Sequence, residues 1–96
     1  MTARHIYTVT GQVQGVGFRP FIYREASRLG LTGSVGNTSE GVRIEIQGPR
    51  GAVTAFRDRF SSALPPLARL TGLSFREIPL LPDETGFTIA RSTGHR

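Results

Sequence analysis

The chain has no cysteine among its 96 residues. Disulfides and thiolate metal centres are thereby excluded. It also has no lysine, so all 12 of its basic residues are arginine. Every positive charge is then a planar fork donor that keeps its proton near neutral pH. The plain explanation of this usage is genomic base composition. Histidine is confined to His5 and His95, near opposite termini, with no cluster of ligand types around either. No metal site and no cofactor is expected. No apolar run approaches the ~20 residues needed to span a bilayer. The first residues, Met1 to His5, lack the apolar core of a signal peptide. A cytoplasmic domain without a membrane partner is the expectation. Internal repeats and low-complexity blocks are also missing.

What is present suffices for one domain. At 96 residues and 38% hydrophobic content, the chain can bury a modest core without staples. The net charge of +5 favours anionic ligands in a general way. The arginines are dispersed along the chain and form no basic block of the kind that marks nucleic-acid binding.

Hydrophobic periodicity orders the elements. Ile6 to Val13 predicts a strand with Tyr7, Val9 and Val13 on one face. Phe18, Ile22, Ala26 and Leu29 form a helical stripe, giving a helix over Arg19–Leu29 that Gly30 stops. Leu31 to Thr38 is a weaker, glycine-rich strand. Thr38 to Gly41 is a tight turn into the clearest strand, where Val42, Ile44 and Ile46 alternate with Arg43, Glu45 and Gln47. Gly48 to Gly51 breaks that strand. A second helix follows, with Val53, Phe56, Phe60 and Ala63 inward and Arg57, Asp58 and Arg59 outward; Pro65-Pro66 ends it. Leu67 to Gly72 is a connector, and Leu73 to Ile78 a strand with Leu73 and Phe75 on the core side. Pro79 to Glu84 is a loop before a short strand, Phe87 to Ile89. The order predicts an α+β fold, the ferredoxin-like split βαβ sandwich (βαββαβ), with an antiparallel sheet and both helices on one face. The domain spans residues 1–91, and 92–96 form a tail or the start of a linker.

The richest stretch is Gly11-Gln12-Val13-Gln14-Gly15-Val16-Gly17-Phe18-Arg19-Pro20. It joins the first strand to the first helix. Glycines there allow backbone N–H groups to converge at a helix N-terminus, and Arg19 adds a fixed charge, which suits an oxyanion. A purely structural bend would need the glycines but not the arginine. The run lacks the Lys-Ser/Thr of a Walker A loop and the acidic partner of a dinucleotide fingerprint.

Gly11-x-Val13-Gln14-Gly15-Val16-Gly17-Phe18-Arg19 resembles the signature of the acylphosphatase family. Leu29-Gly30-Leu31-x-Gly33-x-Val35-x-Asn37, followed by Glu40-Gly41-Val42, resembles that family's second block. Stand-alone members usually carry an aromatic residue where Ser34 stands and often a basic or polar one where Gly36 stands. Arg19-Pro20-Phe21-Ile22-Tyr23-Arg24 and Pro65-Pro66-Leu67-Ala68-Arg69 are similar to one branch, the N-terminal domain of the HypF carbamoyltransferases. That branch serves synthesis of the cyanide ligands of nickel–iron hydrogenases.

The resemblance implies a hydrolase without cofactor. The backbone N–H groups of Gln14, Gly15, Val16, Gly17 and Phe18 would ring the phosphate. Arg19 would add a bidentate contact. Asn37 would hold the attacking water through its neutral amide. No general base is evident, and the substrate's own phosphate oxygens would take the water's proton. The implied ligands are carbamoyl phosphate or another acyl phosphate, with inorganic phosphate as product. The implied partners are the remaining HypF domains and hydrogenase maturation proteins. The alternative is a stand-alone acylphosphatase acting on small acyl phosphates. A third reading, an RNA-binding module on this fold, needs exposed aromatics on the central strands; Arg43, Glu45 and Gln47 supply none. Beside these roles, Phe18 is expected in the core by its side chain, Arg24, Arg28 and Arg43 on solvated faces, and His5 and His95 in no function.

Overall fold

The structure is a computed structural model. It describes residues 1–12, 17–38, 41–62 and 69–89. The elements are β1 (Thr2–Gln12), α1 (Phe18–Arg28), β2 (Thr32–Asn37), β3 (Val42–Pro49), α2 (Arg50–Ser62), β4 (Arg69–Glu77) and β5 (Phe87–Ile89). The strands form one sheet in the order β4-β1-β3-β2-β5. The ferredoxin-like α+β sandwich is thus observed. Four strands pair antiparallel, while β5 joins β2 in parallel, so the sheet is mixed rather than wholly antiparallel. The direction of a three-residue edge strand is set by how the chain returns to the sheet, which local periodicity does not record.

Alternation builds the core. Ala3, Tyr7 and Val9 of β1 and Val42, Ile44 and Ile46 of β3 are buried on the helix side. Tyr7 pairs with Ile44, Val9 with Val42, and Val35 with Ile44, so these side chains meet in cross-strand rows. Helix α1 lays Phe18, Phe21, Ile22 and Ala26 on this surface, and α2 adds Val53, Phe56 and Phe60. The Tyr7 ring stacks on Phe56 at 5.9 Å, and Phe60 meets Phe18 edge-on at 5.9 Å. Truncating such a ring to alanine costs roughly 3–5 kcal/mol.

The opposite face carries a polar strap. Residues 78–86 run from β4 to β5 and bond to each strand they pass. Ile78 N–H donates to Arg4 O at 2.9 Å, Gln47 exchanges two bonds with the Leu81 backbone at 2.8 and 3.1 Å, and Gly33 N–H donates to Gly86 O at 3.1 Å. Arg4 fastens the strap's middle. Its guanidinium bonds Glu84 at 2.7 Å and Glu45 at 2.5 Å, and Thr32 Oγ1 also reaches Glu84 at 2.9 Å.

Three expectations need correction. β1 begins at Thr2, not Ile6, because Ala3 and His5 continue the inward alternation of Tyr7 and Val9. β4 begins at Arg69, inside the stretch expected to be a connector. Leu73 and Phe75 do lie in register with Val9 and Tyr7, yet they are 49% and 41% exposed. The helices pack mainly over β1, β3, β2 and β5. The edge strand β4 is reached from α2 by Arg57, whose guanidinium lies 5.2 Å over the Phe75 ring, and its apolar side chains stay half open to solvent. The expected roles of Val13, Ala63 and Pro65-Pro66, and the boundary at 91/92, lie outside the described residues.

Candidate active site

The sheet brings several segments to one end. Asn37, the last residue of β2, pairs with Val42, the first of β3, and Val42 pairs with Val9 of β1. β1 runs on from Val9 to Gln12 at this end, and α1 begins here at Phe18. Helix α1 then descends against β2 and β5. The N-terminus of α1 and the C-terminus of β2 therefore open on the same side of the molecule, with Arg19 on the first and Asn37 on the second.

Local chemistry shapes the helix start. Gly17 caps α1 with φ 80° and ψ 15°, a left-handed conformation that glycine adopts without steric cost. Its carbonyl accepts the first helical bond, from Phe21 N–H at 3.1 Å. Among the described residues no side chain caps the helix, and its first turn contains no acidic residue. The first N–H groups of an α-helix have no intrahelical acceptor and carry the positive end of the macrodipole. Pro20, in the first turn, has no N–H to leave unpaired. Phe18 is only 1% exposed, so its ring pins the turn to the core while its backbone stays at the helix end. Arg19 is half-buried, and among the described residues it has no carboxylate partner.

Asn37 lies on the helix side of the sheet, half-buried, with its Oδ1 atom turned inward. The next residue closes the β2–β3 turn: Thr38 N–H donates to Gly41 O at 2.8 Å, and Gly41 N–H donates to Thr38 Oγ1 at 3.1 Å. The structure thus brings Gly17, Phe18, Arg19 and Asn37 to one end of the fold. Gln14, Gly15 and Val16 lie outside the described residues.

The other singled-out groups fall elsewhere. Arg24 and Arg43 are exposed, and Arg28 pairs with Glu25 at 2.9 Å on the helix surface. His5, expected to be incidental, is 8% exposed and packs against Phe75 at 5.1 Å, toward the end of the sheet away from Asn37. Burial pushes its imidazole below the ordinary range, and Arg57 and Arg50 add to this against Glu77. Arg4 carries no expected role, yet it is buried; the signal for it is its place in the alternation, opposite the apolar set. Among the described residues no three acidic, histidine or cysteine side chains gather as metal ligands, and no helix is long and apolar enough to cross a membrane.

Comparison with known proteins agrees with this architecture. The sequence model of the acylphosphatase family matches residues 5–89. The chain is 45% identical to carbamoyltransferase HypF2 of Cupriavidus necator over 96% of its own length and 11% of the relative's. It is 44% identical to an acylphosphatase of Actinobacillus succinogenes, covering 88% of this chain and 94% of that one. A crystal structure of full-length HypF in a phosphate- and nucleotide-bound form superposes with a TM-score of 0.89 at 30% identity, over 98% of this chain and 13% of that chain. Several of the relatives it matches are thus about eight to nine times its length. By its sequence model, its relatives and its fold, the chain belongs to the acylphosphatase family.

Proposed function

We propose that this chain hydrolyses carbamoyl phosphate to carbamate and inorganic phosphate, as the acylphosphatase-type domain of a HypF-like carbamoyltransferase. The observation that supports the reading is the topology, which puts the N-terminus of α1, with Arg19, and the last residue of β2, Asn37, at the same end of the sheet. A phosphoryl dianion is the ligand such an end favours. Helix N–H groups and a guanidinium would converge on it, and no acidic residue of the first turn opposes it.

Each group has a task. The N–H groups of Gln14 to Phe18 and the fork of Arg19 hold the phosphate oxygens and stabilise the charge that moves onto them. Asn37 holds a water in line with phosphorus. The water oxygen forms the new bond to phosphorus, and the bond from phosphorus to the carbamoyl oxygen breaks. The electron pair leaves with carbamate, and the water's proton passes to a phosphate oxygen. A mixed anhydride has a good leaving group, so positioning and charge stabilisation suffice without a general base.

The HypF-like assignment rests on likeness to proteins of which this chain spans 11%. In that setting the carbamate would pass to the remaining domains, in the service of hydrogenase maturation. A second reading is a stand-alone acylphosphatase acting on small acyl phosphates. It is favoured by the match to a relative covered over 94% of its length. Phosphate release from carbamoyl phosphate and from acetyl phosphate separates the two. Preference for carbamoyl phosphate is the expected result; equal rates would support the second reading, and no release from either would overturn both.

A further inference from the structure

We infer that Gly41 is a positioning residue for Asn37, acting through the backbone of β1. The inference rests on the proposed role of Asn37 and extends it to a residue that touches no substrate. Gly41 lies where the β2–β3 turn presses on β1. A methyl carbon added to it would overlap the carbonyl oxygen of Val9 and stand 3.0 Å from Val9 C and 3.1 Å from Thr10 Cα. These are backbone atoms of a strand hydrogen-bonded on both sides, to β3 and to β4, so they cannot swing aside as a side-chain tip would. Any larger residue must lift position 41 away from β1.

That displacement has a short path to the site. Gly41 and Thr38 are tied in both directions, through Thr38 N–H to Gly41 O at 2.8 Å and Gly41 N–H to Thr38 Oγ1 at 3.1 Å. Thr38 is bonded covalently to Asn37. Lifting Gly41 therefore moves the residue that follows Asn37, while β2 upstream stays held by β3 and β5. Arg19, on a separate element, keeps its place. The bare glycine lets the turn sit flush on β1, and this sets the height of the Asn37 amide at the end of the sheet.

Gly33 provides an internal control. A methyl there would overlap the carbonyl oxygen of Glu45, a clash of the same kind in the same hairpin but at the end away from Asn37. A general loosening of the hairpin would make Gly33→Ala and Gly41→Ala alike. Positioning would make them differ.

Asn37 is the sole asparagine of the chain, so labelling with ¹⁵N-asparagine gives one side-chain amide pair in the NMR spectrum. In Gly41→Ala that pair is expected to collapse toward the shifts of a solvent-exposed amide, and in Gly33→Ala to stay at its original position. An unmoved pair in Gly41→Ala, or equal movement in both variants, overturns the inference. This holds even for a chain that releases no phosphate. With carbamoyl phosphate, Gly41→Ala should lower kcat on the order of 10²-fold while inhibition by inorganic phosphate is kept. Added to Asn37→Ala, it should lower kcat no further, whereas additive losses would mean an independent structural effect. A normal kcat in Asn37→Ala would defeat the water-holding role, and the amide shift would still decide the geometric claim. Should Gly41→Ala fail to fold, Thr38→Val loosens the same tie without a clash. It should move the amide pair in the same direction, and an unmoved pair there also overturns the inference.

Discussion

Arg4 and Arg19 lie toward opposite ends of the same sheet and meet opposite surroundings. Arg4 is 4% exposed and bonds Glu45, Glu84 and Gln47, tying the strap to the underside of β1 and β3. Its carboxylate partners, Glu84 first, hold its guanidinium pKa above the ordinary value against the opposing cost of burial. Arg19 stands at an uncapped helix N-terminus with no carboxylate partner among the described residues. The helix dipole there disfavours a cation unless an anion joins it. Two residues of one type thus divide the work. One has its charge neutralised within the fold, and the other has no carboxylate partner among the described residues, which is what the proposed phosphate contact requires.

The largest expected effect comes from the unneutralised charge. Arg19→Ala should lower kcat/KM by at least about 10³-fold, or roughly 4 kcal/mol, as for the loss of a donor aimed at developing charge. Stability should change by less than about 0.5 kcal/mol, the usual range for a surface substitution without such partners. Phosphate-release kinetics beside urea unfolding check both halves. Hydrolysis close to the unsubstituted rate in a folded Arg19→Ala protein would break the contrast with Arg4.

The reverse pattern is expected for the neutralised charge. Arg4→Met keeps most of the unbranched stem but removes the guanidinium, leaving Glu45 and Glu84 without a cation between them. The loss should be about 2–4 kcal/mol, since the carboxylates are partly solvated and the full cost of a buried broken pair is discounted. For a domain of this size each kcal/mol lowers Tm by roughly 4–8 °C. The kcat of the protein that remains folded should be unchanged, which a rate normalised to the folded fraction would test. A fall in kcat with stability intact would mean that the strap reaches the site.

Both regions differ in how plainly the sequence displays them. The alternation of Val42, Ile44 and Ile46 and the stripe of Phe18, Ile22 and Ala26 follow from one strand face and one helix face being buried, so periodicity suffices to place them. The glycine run and Asn37 stand out because the anion site proposed for them would need special backbone and polar groups at fixed places. Arg4 and His5 were hidden because polar residues at a chain start resemble a frayed terminus. Only the long pairing of Thr2–Pro49 through Val9–Val42 makes them interior. The exposure of Phe75 and Leu73 was equally hidden, since apolar spacing cannot tell a strand beneath a helix from an edge strand beside one. The contact of Gly41 with Val9 joins residues 32 positions apart, and a glycine in a turn gives no hint of it.

His5 sharpens the contrast on the smallest scale. It follows Arg4 directly but points to the helix side, where its Nδ1 atom is buried without a hydrogen-bond partner among the described residues. Arg4 enters the fold with carboxylates bonded to it, whereas among the described residues His5 feels Glu77, offset by Arg57 and Arg50. Burial therefore holds its folded pKa below the unfolded value of about 6.5. Above that value both states are neutral, and the packing of His5 contributes in full. As pH falls below about 6.5 the unfolded chain gains the proton first, so stability is lost until the folded pKa is passed. Urea unfolding across pH 7.5 to 5 should show this slope in the unsubstituted protein and a flatter one in His5→Gln, which does not titrate. Parallel profiles would mean that His5 is as well solvated in the fold as outside it. The neighbouring pair Arg4 and His5 would then no longer show that this end of the sheet accepts charge only where a carboxylate is bonded to it.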